Sequence, residues 1–273
     1  YGDDGHIWGA ELLLADLTGY RRLAQLRYAP MPGGDLAART PWRMAAGYAS
    51  LEPELEGSFA SAFDGVAADE RRIVAAQIDR GVNAPLASSM GRLFDAAAAV
   101  LGVRRGAAYE GQAAMELEAL ARRWVAGSID GSRDPSEVIG EGPVRAHLPR
   151  IAVPVNGLPG ETAVVDPVPL LAELGARAAA GEDTGLLAAV FHASVGEATV
   201  DLAAAACDEH GIPRVALGGG VFQNSLLQAI VGEGLVSRGL EVLLPERLGP
   251  NDGAISYGQA VIAAARLADE QGR

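Results

Sequence analysis

Apolar and polar positions along the chain fall into short runs of two periods. Residues 7–15, IWGAELLLA, and 20–28, YRRLAQLRY, read as two strands around the turn Asp16-Leu17-Thr18-Gly19. In the second, Leu23, Leu26 and Tyr28 are mixed with arginines, the pattern of a strand with one wet face. PMPGGD breaks this pattern. Helical spacing then predicts a helix from Asp35 to about Leu51, and a short amphipathic one in DERRIVAAQID at 69–79. The clearest helix is ASSMGRLFDAAAAVLG, which Ser88 or Ser89 can cap and in which Met90, Leu93, Phe94 and Ala97 share a face. Gly102 ends it, and EGQAAMELEALARRWVAG predicts another helix running to about Ala126. Residues 128–146 are polar and turn-rich, a surface loop. IAVPV and TAVVD resemble a hairpin around Asn156-Gly157, and helices follow over 167–180 and 184–210.

The last third alternates cleanly: RVALG a strand, FQNSLLQAIVGEGLVSRG a helix, LEVLLP a strand, DGAISYGQAVIAAARLADE a helix. Short apolar strands between helices predict a parallel sheet covered on its faces, and the whole an α/β fold. No repeat of solenoid length is present.

Composition narrows the function classes. A chain of 273 residues, 49% hydrophobic and 21% charged, is expected to be a soluble globular protein of one large domain or two smaller ones. The reading finds no apolar stretch of the roughly 18–20 residues that a membrane span needs, so no membrane partner is expected. The opening YGDDGHIWGA is polar and acidic rather than leader-like and lacks an initiator Met, so the expectation is a cytoplasmic piece of something longer. A net charge of −13 argues against a nucleic-acid partner, which needs clustered positive charge. All 22 Lys+Arg residues are arginine, which excludes a Walker lysine and a Schiff base. Cys207, in AAAACDEHG, reads as a buried structural thiol on a helix. His6, His147, His192 and His210 form no metal-ligand spacing, and His192 reads as a satisfied helix histidine.

VALGGGVFQN carries the candidate chemistry. A strand passing through Gly218-Gly219-Gly220 into a helix brings backbone N–H groups to a surface that no Cβ obstructs, where the helix start favours an anion. Gln223 and Asn224 stand where the helix begins. A phosphate turn and a merely tight packing turn both remain open on this pattern. The next strand leads to Asp252, in PNDGA, which parallel pairing would put at the same mouth. There it is either a helix N-cap or a carboxylate ligand to a divalent metal replacing the missing lysine.

YGDDGHIWGAELLLAD, PMPGGD, SSMGRLFDAAAAVLG, YEGQAAMELE, FH, VALGGGVFQN and PNDGAISYGQA together resemble the HypF carbamoyltransferases of nickel-iron hydrogenase maturation, across nearly the whole chain. The part resembled is the C-terminal domain, itself similar to the universal tRNA threonylcarbamoyl transferase. The resemblance implies an actin/Hsp70/sugar-kinase-like (ribonuclease H-like) lobe with helical insertions and a mixed sheet. Residues 1–273 would form the second lobe, with the N-terminal lobe and upstream HypF domains as partners in the full enzyme. It implies ATP or carbamoyl-adenylate contacts from Gly218, Gly219, Gly220 and Asn224. Ribose contacts would come from Gly111 and Glu116, with Asp95 a further candidate, and Asp252 would ligate a divalent metal, Mg, Fe or Zn. Arg92 would stabilise carbamoyl or phosphate charge; a surface arginine is the alternative reading, as a solvated helix face is for Glu116. The acceptor implied is the C-terminal cysteine of HypE. The family's upstream histidines and Asp-Gly stretch are not among these residues, so the chain alone is expected to be inactive and prone to self-association. An O-carbamoyltransferase of secondary metabolism and a non-catalytic nucleotide-binding module are the rival readings.

Overall fold

The computed structural model describes residues 1–129, 145, 148–157 and 161–271. Strands β1 (Glu11–Ala15) and β2 (Tyr20–Leu26) form the expected hairpin. Its turn is set by Asp16, whose Oδ1 accepts from Thr18 N at 2.7 Å and Gly19 N at 2.9 Å, a local bond that replaces ladder pairing. Strands β3 (Ala29–Pro30) and β4 (Leu86–Ala87) make a separate short pair. β5 (Val155–Asn156) and β6 (Ala163–Val165) are antiparallel, and β6 lies parallel to β2, giving a mixed sheet of order β1-β2-β6-β5.

The helix expected from Asp35 to Leu51 is two: α1 (Asp35–Arg39) and α2 (Pro41–Ala49). Pro41 has no N–H to continue α1, but its fixed φ suits the first turn of α2. Pro53–Phe63 is a 3₁₀ segment that buries Phe59 and Ala62. Helix α3 (Ala68–Arg80) is followed by α4 (Met90–Val100), in which every residue from Leu93 to Val100 is buried. Its alanines let α2 and α5 (Gln112–Ile129) approach closely. Ser128 and Ile129 thus belong to α5, and the rest of the expected 128–146 loop, apart from Arg145, lies outside the described residues, as does His147.

Helices α6 (Val168–Ala179) and α7 (Thr184–His210) match the expected spans. α7 does meet the length and hydropathy of a membrane span, contrary to the sequence reading, but 72% of that window is buried inside the protein. A helix apolar on all sides is here a core helix. It packs on α5 and on α8 (Ser225–Val236). At this last crossing a Cβ on Gly196 would come within 2.6 Å of Ile230, and one on Gly234 within 2.6 Å of Val200. Cys207 is buried on α7 and free, as expected.

The C-terminal unit corrects one expectation. β7 (Arg214–Ala216) and β8 (Glu241–Leu243) are parallel, but they form a two-stranded sheet whose outer residues are exposed. The last helix, α9 (Ile255–Glu270), buries no residue. Two three-residue strands carry too little apolar surface to cover both faces.

His192 shows how tightly this core is set. It is fully buried on α7, with Nδ1 2.7 Å from Ala188 O and Nε2 2.9 Å from Asn224 Nδ2. These partners assign Nδ1 as the protonated nitrogen and Nε2 as the acceptor. Burial pushes the imidazole from 6.5 down to about 4. A group depressed in the folded state stabilises above its unfolded pKa and loses that contribution as pH falls through the folded one. Urea unfolding between pH 7 and pH 4 should therefore lose stability by up to ~1.4 kcal/mol per pH unit from this group, and His192→Gln should flatten that slope. Parallel slopes in the two proteins would show that His192 is not buried neutral.

Candidate functional site

The loops after β7 and β8 are joined directly. Leu217 N donates to Leu243 O at 3.0 Å, and Gly219 N donates to Pro250 O at 2.7 Å. The triple glycine and Asn251-Asp252 therefore share one mouth at the C-terminal ends of two parallel strands, where α/β proteins place ligands. A Cβ built on Gly218 or Gly219 meets nothing within 4 Å, so the approach to this backbone is bare. Gly219 also holds a φ of +96°, which other residues adopt only with strain. Gly220 opens a 3₁₀ turn, Gly220–Gln223, that feeds α8.

Asn224 is placed at the start of α8 with its side chain buried. Its Oδ1 accepts from Leu227 N at 2.9 Å, capping the helix, and its Nδ2 donates to His192. The amide is thus committed at both ends. At the neighbouring loop the cap is Asn251, whose Oδ1 accepts from Gly253 N at 3.1 Å, rather than Asp252. The Asp252 side chain is exposed and has no hydrogen bond or ion pair among the described residues.

Gly111, at φ +77°, turns the chain into α5. One turn on, Glu116 is half-buried and held by Arg104, with Nε to Oε2 at 2.8 Å and Nη2 to Oε1 at 2.5 Å, and by Gln112 Nε2 at 2.9 Å. Arg104 keeps its carboxyl below the usual range. This is an ordered pair rather than the solvated face left open by the sequence. The link between α5 and the glycine turn is Glu118, whose Oε1 accepts from Ser225 N at 2.8 Å and Ser225 Oγ at 2.7 Å. A carboxylate at a helix start is the favourable sign for the helix dipole. Sequence reasoning missed Glu118, since nothing local pairs it with a residue so far along the chain.

Arg92 and Asp95 lie elsewhere in the core, on α4 against α2. Arg92 is not a surface arginine: its side chain is 14% exposed and its Nη2 stands 3.1 Å from Asp95 Oδ2. The approach is close but misaligned, for Asp95 Oδ2, Arg92 Nη1 and the Tyr48 hydroxyl are all buried without a hydrogen-bond partner. Burial pushes Asp95 up to about 7 against the pull of Arg92, and raises Tyr48 as well. Metal ligation finds little support: among the described residues no three His, Cys, Asp or Glu side chains converge. Asp252 by itself does not make a divalent-cation site, which takes several oxygens.

The raised carboxyl has a measurable sign. A group whose pKa rises on folding stabilises most below its unfolded value and loses that contribution as pH climbs through the folded one. Asp95→Asn removes this titration. It should melt above the parent at pH 8 and shed most of that advantage by pH 5. A deficit of the same size at both pH values would mean that Asp95 is buried ionised.

Comparison with known proteins covers almost the whole chain. Residues 1–259 match the family model "Carbamoyltransferase, Kae1-like Domain, second subdomain". A carbamoyltransferase HypF homolog from Cupriavidus necator is 39% identical over 265 residues, covering 96% of this chain and 62% of that protein. HypF2 of the same organism is 41% identical over 97% of this chain and 32% of its own length. HypF of Rhodobacter capsulatus is 38% identical over 97% of this chain and 31% of its own. The crystal structure of full-length HypF in the phosphate- and nucleotide-bound form superimposes with a TM-score of 0.82 at 36% identity, covering 98% of this chain and 32% of that one. HypF of T. kodakarensis gives a TM-score of 0.78 at 28% identity, covering 98% and 33%. The chain spans about a third of the length of most of these relatives and just under two thirds of one. With the motif series, the mixed sheet and the glycine-turn geometry all agreeing, the chain belongs to the HypF-type carbamoyltransferase family, as the second subdomain of its Kae1-like domain.

Proposed function

We propose that this chain is the nucleotide-holding half of a carbamoyl-transfer site used in nickel-iron hydrogenase maturation, built on an actin/Hsp70/sugar-kinase-like lobe. The observation that carries the reading is the bare Gly218-Gly219 backbone bonded to the Pro250–Asp252 loop. In this role Gly218, Gly219 and Gly220 face the phosphate of ATP or carbamoyl-adenylate, and Gly111 and Glu116 approach the ribose. Asn224 fixes the start of α8 behind them. Asp252 offers a single carboxylate, so any cation there would need further oxygens, such as those of the phosphate.

The reaction has a simple balance. The thiolate of an acceptor, the C-terminal cysteine of HypE, attacks the carbamoyl carbon. The bond from that carbon to the phosphate oxygen breaks, AMP leaves with the electron pair, and a thiocarboxamide remains. Charge grows on the phosphate as AMP departs, so preorganised N–H donors act where they lower the barrier. That the single cysteine of these 273 residues, Cys207, is buried on a core helix agrees with an acceptor supplied by the partner. Support for the nucleotide comes from the phosphate- and nucleotide-bound state of the full-length relative.

Gly218 gives the cleaner test, because Gly219 substitutions also strain the backbone. In a chimera carrying this chain in place of the matching part of Rhodobacter capsulatus HypF, Gly218→Ala should leave the melting temperature unchanged. It should weaken nucleotide binding at least about tenfold, ~1.4 kcal/mol, and slow carbamoylation of the HypE cysteine followed by mass spectrometry. Unchanged affinity and turnover would remove the glycine turn from the site. A chimera that binds nucleotide but never carbamoylates would favour the non-catalytic module.

A further inference from the structure

The start of a helix that follows a glycine turn is the ordinary seat for a phosphate, because its first N–H groups have no partner inside the helix. In α8 that seat is taken. Asn224 N donates to Val221 O at 3.0 Å, Ser225 N to Glu118 Oε1 at 2.8 Å, and Leu227 N to Asn224 Oδ1 at 2.9 Å. Glu118 Oε1 also accepts from Ser225 Oγ at 2.7 Å, so one carboxylate oxygen receives both donors of the first helical residue. In this turn only Leu226 N is without an acceptor among the described residues, and Leu226 is buried.

The backbone just ahead of the helix is different. Gly219 N is bonded to Pro250 O and Phe222 N to Gly219 O, whereas the N–H groups of Gly218, Gly220 and Val221 have no protein acceptor among the described residues. Free donors therefore precede the helix, and a carboxylate sits on the helix start itself. Asn224 already caps α8, and Glu118 comes from a helix 107 residues earlier in the chain. A neutral acceptor would satisfy Ser225 equally well; a carboxylate adds a charge that any neighbouring phosphate has to oppose. Arg122, one turn along α5, reaches the same oxygen only at 3.9 Å, outside hydrogen-bond range. The Glu118 side chain is 15% exposed, so solvent ions screen it less than a surface charge.

We propose that Glu118 is a positioning residue that closes the start of α8 to anions and so directs a nucleotide phosphate onto the N–H groups of Gly218, Gly220 and Val221. Its charge weakens phosphate binding somewhat and in return leaves a single register for it. Its two bonds to Ser225 fix where the Gly220–Gln223 turn meets α8. Because Glu118 lies on α5, the same residue ties that turn to Gly111 and Glu116. The inference rests on the glycine turn being the phosphate site, and the test separates the two.

Inorganic phosphate can be titrated into the 273-residue chain at constant ionic strength while amide shifts are followed. In the parent, the Gly218, Gly220 and Val221 amides should shift saturably and Ser225 should stay in place. Glu118→Ala frees the Ser225 donors, and the Ser225 and Leu226 amides should then titrate with phosphate as well. Glu118→Gln keeps an oxygen for Ser225 but removes the charge. There Ser225 should remain silent, while phosphate binds the glycine turn at least about twofold more tightly. This second variant decides the matter if Glu118→Ala folds poorly. A Ser225 amide that follows phosphate in the parent, a silent one in folded Glu118→Ala, or unchanged affinity in Glu118→Gln would overturn the role of Glu118. Phosphate shifts at Ser225 in Glu118→Ala, with the glycine amides still in all three proteins, would instead overturn the glycine turn as the phosphate site.

Discussion

The position of the glycine turn depends on one buried amide. Asn224 Oδ1 caps α8 while its Nδ2 donates to His192, which is held on α7 by Ala188 O. The two helices cross closely enough that glycines are required on both. The start of α8 is therefore fixed from inside the core, and Gly218–Gly220 are presented just ahead of it. Since an unsatisfied buried polar group costs roughly 1–3 kcal/mol, neither partner of this pair is readily given up. Asn224, which the family resemblance suggests as a nucleotide contact, has only its second amide hydrogen and the second lone pair of Oδ1 to offer one while it keeps its cap and His192.

Around that fixed point the site is assembled from outside the C-terminal unit as well as within it. Glu118 of α5 holds Ser225, and Arg104 and Gln112 hold Glu116 two residues earlier. The far side is the loop after β8, tied to Gly219 through Pro250. The exposed edge of β7 and the unburied α9 leave this half of the molecule open, and a cavity beside the turn continues that opening.

Much of this was legible in the sequence because the signals are local. The Asp16–Gly19 turn, the alternation of the last third, and the run of glycines each act over a few residues. Long-range pairing, such as Glu118 with Ser225, was not legible, nor was the burial of the i,i+3 neighbours Arg92 and Asp95 together with Tyr48, which depends on how helices pack. Pro41 did signal a helix break, and the continuous apolar spacing around it obscured the signal. The C-terminal strands were read correctly in type, but their cover was not, because three-residue strands and an unburied α9 leave no second layer. The Asp252 cap was read one residue late, since Asn251 takes that role.

Nucleotide recognition by the glycine turn is tested most directly by amide chemical shifts of the 273-residue chain as AMP is added to millimolar concentration, a range in which weak contacts still register. If the turn receives the phosphate, the Gly218, Gly219 and Gly220 amides shift together and saturably, followed by residues of the Asn251–Gly253 loop, and the movements vanish in Gly218→Ala. If AMP leaves those amides in place while shifting residues elsewhere, the phosphate is held at another part of the molecule and the glycine turn is only a structural corner.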